Sequence, residues 1–111
     1  MPEPQQFLAG FGLTSGKQVD GFTIKSASAS HHVIRQYHEY SYDINLVLTK
    51  AAGQVGDVHT LLLALDLMTR GERQIMAIRN YYTCTIESPM ESDVVVSGTE
   101  YQVHLRGHSY R

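Results

Sequence analysis

Apolar and polar residues alternate with a period of two over much of the chain, and once they shift to the spacing of a helix. In "EYSYDINLVLT", Tyr40, Tyr42, Ile44, Leu46 and Leu48 share one face, while Glu39, Ser41, Asp43, Asn45 and Thr49 fall mainly on the other. Successive side chains of a strand point to opposite faces, so this pattern predicts a half-buried strand. "GFTIKSAS" predicts an earlier strand with Phe22 and Ile24 on one face and Thr23 and Lys25 opposite. "RQIMAIRNYYTCTIES" sets Met76, Ile78, Asn80, Tyr82, Cys84 and Ile86 against Ile75, Arg79, Thr83, Thr85 and Glu87, and predicts a second long strand. "DVVVSGTEYQVHLRG" predicts a hairpin turning at Ser97-Gly98, with Tyr101, Val103 and Leu105 inward and Gln102, His104 and Arg106 outward.

Between these strands, Val58, Leu61, Leu62, Leu65 and Met68 recur at helical spacing, which predicts an amphipathic helix from Val58 to about Arg70 with Leu62 and Leu65 in its inward stripe. Asp57 is placed to cap its start and Gly71 to end it in a left-handed conformation. Leu63 and Leu67 make the opposite face apolar as well, so the helix is expected to be covered on two sides. "KAAGQVGD", with two glycines, reads as the loop before it; as a phosphate loop "GQVGD" lacks the following Lys-Ser/Thr and a parallel βαβ unit. Residues 1–20 hold two prolines and several glycines, and read as a flexible N-terminal arm with Phe7, Leu8, Phe11 and Leu13 as apolar anchors. Residues 21–111 then form a single β-rich domain. Strands on both sides of one helix predict an α+β fold, either a β-sandwich or a strongly curved, mainly antiparallel sheet with the helix covering one end.

Composition narrows the function classes. At 111 residues the chain fits one domain, with 42% apolar and 18% charged residues, as in an ordinary globular fold. A formal net charge of −2 gives no general pull towards nucleic acid or an acidic membrane, and neither is expected as a partner. The longest apolar run, "LLLALDLM", is interrupted by Asp66 and is too short to span a bilayer, and "MPEPQQFLAGFG" lacks the features of a secretory signal. Cys84 is the only cysteine, which excludes an intrachain disulfide and a multi-cysteine zinc site.

Candidate chemistry concentrates in "SASHHVIRQYHEYSYDIN". On one continuous strand His32 and His38 would stand about 20 Å apart, too far to share a metal whose nitrogen ligands lie about 2 Å away. A bend or hairpin near Gln36 would bring them closer, and a third ligand would then have to come from His59, His104 or Glu39. Read as a strand end, the tyrosines bury their rings and keep their hydroxyls wet. Cys84 with His59 or His104 would make a nucleophile and base, but its place between Tyr82 and Ile86 on an apolar strand face predicts a buried, inert thiol. Arg70, Arg73 and Arg79 read as a solvated rim near the helix exit, with phosphate binding the sharper alternative. No cofactor is expected.

Two classes follow. One is a non-enzymatic structural module that assembles with copies of itself and with other structural proteins, with Phe7, Leu8, Phe11 and Leu13 reaching a neighbour and Leu63 and Leu67 completing the interface. In the intrachain alternative, those four residues fold back on their own subunit. The other class is a small binding domain or enzyme with a site around His38, Tyr40 and Cys84. The layout resembles small structural proteins of tailed bacteriophages, of the tail-tube, tail-completion and neck kinds. The likeness lies in the loose "PQQFLAGFGL" arm, the long strands around the "GDVHTLLLALDLMTRG" helix and the terminal "YQVHLRGHSYR" strand. It implies a subunit that joins its copies in a ring or tube, located in the virion if phage-encoded and otherwise in the cytoplasm. A phage-encoded inhibitor protein would show the same pattern.

Overall fold

The computed structural model describes residues 1–51 and 56–111. A short helix α1 (Pro4–Gly10) is followed by β1 (Gln18–Val19), β2 (Phe22–Arg35) and β3 (Glu39–Lys50). Helix α2 (Val58–Thr69) comes next, then β4 (Arg73–Ala77), β5 (Asn80–Ile86), a 3-10 turn (Glu91–Asp93), β6 (Val94–Ser97) and β7 (Glu100–Tyr110). Every pairing is antiparallel, in the order β1-β2-β3-β7-β5-β4, with β6 beside β7. The sheet curls strongly into a half-barrel, so of the two expected architectures the curved sheet is the one found. β7 is the hub: β3 runs along one edge of it, and β5 and β6 share the other, β5 against Gly107–Tyr110 and β6 against Glu100–Val103.

The strand expected over 39–49 forms β3, with Tyr40, Tyr42, Ile44, Leu46 and Leu48 all buried. Two expectations change where the chain turns without an obvious turn sequence. The first strand continues to Arg35 and reverses at Gln36–His38, so His32 pairs with Ser41 rather than lying on one strand with His38. The stretch from Arg73 is not one strand but a hairpin, with Ile78 and Arg79 both at positive φ (45° and 67°). A two-residue turn of this hand matches the strand twist. It also resets the alternation, so that Ile75 and Ala77 share the inner side with Tyr82 and Cys84, while Met76 and Ile78 are exposed.

α2 spans its expected range, and Asp57 caps it, accepting the Thr60 N–H at 2.9 Å. Its inward stripe is Leu61, Leu65 and Thr69, with Leu62 only half-buried, which corrects the expected pairing of Leu62 with Leu65. The loop expected over 50–57 falls partly on residues 52–55, outside the described residues.

The largest correction concerns residues 1–20, which are not a flexible arm. They contain α1, which contacts β2 near one edge of the sheet and β4 at the other. Phe7, Leu8, Phe11 and Leu13 are at most 3% exposed in their own chain's core, so they are not interface residues towards a neighbour. Phe7 stacks on Tyr42 with ring centroids 4.1 Å apart, and lies so close to Gly107 that a Cβ there would meet its Cζ at 2.6 Å. A curled sheet with an open side leaves core surface that only another element can cover, and the apolar residues of α1 cover it.

Candidate functional site

The histidines divide among four places, with His59 exposed on the first turn of α2. His31 turns towards the inner face, its ring 6.5 Å from Tyr42, and His38 is exposed in the β2–β3 turn. On the outer face, Asp43 lies 3.2 Å from His32 Nε2 and 3.0 Å from His104 Nε2, and Glu39 lies 2.6 Å from His108 Nε2. His32, His104 and His108 are thus each paired with a carboxylate across the strands. Among the described residues no group of three or more His, Cys, Asp or Glu is arranged to hold a metal ion. Pairs of this kind on a solvated face contribute little stability and fix the surface pattern of the sheet.

His38, Tyr40 and Cys84 do not form one site. Tyr40 and Cys84 both pair with Ser109 on the inner face, Tyr40 accepts the Tyr37 N–H at its hydroxyl (2.8 Å), and His38 stands outside in the turn. Cys84 is fully buried, and burial pushes its thiol up to about 12. A thiolate nucleophile is therefore inaccessible in the folded state. Folded protein at neutral pH is expected to leave Cys84 unmodified by a thiol-reactive disulfide, with one thiol per chain reacting once denaturant is added; rapid labelling of native protein would contradict the placement.

Tyr42 departs from the expectation of wet hydroxyls. Its OH donates to the Pro2 carbonyl at 2.6 Å and accepts from Ser109 Oγ at 3.2 Å, and burial raises its pKa to about 12. Nor do the three arginines form a patch. Arg70 pairs with Asp66, whose carboxyl the Ser88 and Arg70 hydrogen bonds hold below its usual range. Arg73 donates to the Met68 and Arg70 carbonyls and lies 5.0 Å over the Phe11 ring, while Arg79 sits in the distant β4–β5 turn. Arg73 thus closes the C-terminal end of α2, where free carbonyls need donors.

What remains is surface. The body is 46 Å along its longest axis, and β3 alone, from Glu39 to Lys50, spans about 36 Å at about 3.3 Å per residue. At the Glu39 end, Val33, Ile34, Tyr37 and Ile78 are exposed, Ile78 to 86%, beside a hollow lined by Met1, Tyr37, Ile78, Tyr82 and Arg111. Tyr82 OH donates to the Tyr37 carbonyl at 3.0 Å, and the Arg111 N–H to the His38 carbonyl at 2.9 Å, which tie the turns and the end of β7 together there. A groove of about 610 Å3 runs between α2 and β1, lined by Val19, Leu63, Ala64, Leu67 and Met68, with Lys17 and Asp20 beside them. Leu63 and Leu67, expected at an interface, are 54% and 67% exposed. Sequence reading missed the Glu39 end because Tyr37 and Ile78 sit in turns that carry no turn signal. Among the described residues no helix is long and apolar enough to cross a membrane. Comparison of the chain with models of protein families, with characterised proteins and with solved structures finds no match.

Proposed function

We propose that the protein is a non-enzymatic structural subunit that assembles with copies of itself and with other structural proteins, in the tail or neck of a phage particle. One observation carries the self-assembly: large apolar side chains are exposed in two groups on an elongated body, Ile34, Tyr37 and Ile78 at the Glu39 end and Leu63 and Leu67 on the outer face of α2. Patches of this kind mark interaction surfaces, whereas singly scattered apolar residues need no explanation. Two unlike patches suit heterologous association, which gives rings where the rotation closes and tubes or filaments where it does not. The phage setting rests on the resemblance of the long strands around one long helix, and of the terminal strand, to small tail and neck proteins. Negative-stain microscopy and sedimentation velocity over rising concentration are expected to show rings, tubes or short filaments. A species that stays monomeric throughout would overturn the reading.

A further inference from the structure

A formal net charge of −2 gives no general pull towards an anionic surface, but the fold does not spread its charge evenly. Two turns carry the same pair of residues, Ile34-Arg35 leading into the β2–β3 turn and Ile78-Arg79 in the β4–β5 turn. Strand register brings both pairs to one end. Glu39 and Thr83 are both level with Tyr110, so residues 36–38 lie beyond that level, and so do Ile78 and Arg79. The bond from the Tyr82 hydroxyl to the Tyr37 carbonyl holds the two tips together, and Arg111 joins them through its N–H to the His38 carbonyl.

This end is apolar at its tips and basic around them. Ile34 is 56% exposed and Ile78 86%, with Tyr37 exposed between them and Tyr81 on the flank of the β4–β5 hairpin. Arg35, Arg79 and Arg111 are exposed, and none of them belongs to an ion pair among the described residues. Carboxylates are set back. Glu39 is held by His108 at 2.6 Å, Glu3 adjoins Pro2, whose carbonyl binds Tyr42 further along β3, and neither 33–38 nor 76–80 contains an acidic residue. We propose that this end docks on a lipid bilayer bearing anionic headgroups, with Ile34 and Ile78 entering the interface and the arginines meeting lipid phosphates. Apolar side chains buried at the headgroup boundary and basic groups beside them are the two contributions that hold peripheral proteins to such a surface. Tyrosines suit the same boundary, with an apolar ring and a wet hydroxyl. A nucleic acid would match the arginines but give the aliphatic tips nothing to enter. A second copy would give the arginines no complement at the α2–β1 groove, whose one lysine and one aspartate cancel. The inference goes beyond the assembly reading and does not depend on it, because a single chain carries the whole surface.

The test is co-sedimentation of the full chain with vesicles of phosphatidylcholine alone and of phosphatidylcholine mixed with phosphatidylglycerol. The protein should pellet with the mixed vesicles, less so as salt is raised, and scarcely with phosphatidylcholine alone. Arg35→Gln combined with Arg79→Gln should weaken binding about 20- to 30-fold, from about fivefold for each basic residue near an anionic surface. Ile78→Asn should weaken it at least about tenfold while melting no lower than the parent, since Asn tolerates the φ of 45° held there. Leu63→Ser, on the outer face of α2, should bind as the parent does. A parent that ignores the mixed vesicles overturns the inference, as does binding that Leu63→Ser weakens as much as Ile78→Asn. Binding to a short DNA duplex but not to vesicles, with the same dependence on the arginines, would replace the membrane by a nucleic acid. If the parent ignores vesicles and the double arginine variant loses assembly, the tips meet another copy, so the membrane contact falls and the assembly reading stands. A parent that binds the mixed vesicles yet stays monomeric in solution overturns the assembly reading alone.

Discussion

Deleting residues 1–16 is expected to unfold the protein rather than to release a soluble subunit with a weakened interface. The deletion removes Phe7, Leu8, Phe11 and Leu13, each at most 3% exposed. Burying such side chains stabilises by roughly 1.5–3 kcal/mol each, or about 6–12 kcal/mol together. That is comparable to the whole stability of a typical domain, about 5–15 kcal/mol. The loss extends beyond apolar area, because the Tyr42 hydroxyl loses the Pro2 carbonyl that accepts its proton. A smaller lesion gives a graded version: Phe7→Ala should cost about 3–5 kcal/mol, since the ring stacks on Tyr42 and fills the space that Gly107 leaves open. Circular dichroism and denaturant titration of both forms check this. A truncated chain with native spectrum and unchanged melting would mean that α1 does not close the half-barrel.

Leu65→Ala is expected to cost about 2–5 kcal/mol, and Leu63→Ala on the same helix to stay within about 0.5 kcal/mol of the parent. Leu65 is fully buried and its carbonyl accepts Thr69 Oγ1 at 2.7 Å, so the backbone beneath it is held and cannot collapse into the void. Leu63 lines the open groove, where truncation leaves no cavity. At about 4 °C per kcal/mol for a domain of this size, Leu65→Ala should lower the melting temperature by roughly 8–20 °C. Similar losses from both substitutions would mean that the groove face is covered in the folded subunit.

The parts of the fold written in periodicity were legible in the sequence. β3 and α2 are long enough for the alternation of Tyr40 to Leu48 and the recurrence of Leu61, Leu65 and Met68 to identify them. Turns at Tyr37 and at Ile78–Arg79 were not legible, because positive φ at Tyr, Ile and Arg is imposed by the surrounding strands against local preference. The role of α1 was equally hidden. Seven residues with two prolines nearby carry too little helical pattern, and only the open side of the curled sheet shows why Phe7 and Leu8 turn inward. Leu63 and Leu67 were found as an apolar outer face from spacing alone, whereas the exposure of Ile78 required the hairpin to be seen.

The central position of β7 bears on how the chain acquires its structure. Of the seven strands among the described residues it is made last, yet it joins β3 to β5 and β6, and its Gly107 provides the platform for Phe7 about a hundred residues earlier. Until β7 exists, the β2–β3 hairpin and the β4–β5 hairpin are separate ribbons, each marginal in water by itself. During synthesis, the N-terminal apolar residues must therefore wait, unsatisfied, for the distal end of the sheet. Contacts this far apart in sequence slow folding and prolong the exposure of sticky intermediates, so yield in the cell should depend on chaperone capacity and growth temperature more than the stability of the finished fold would suggest.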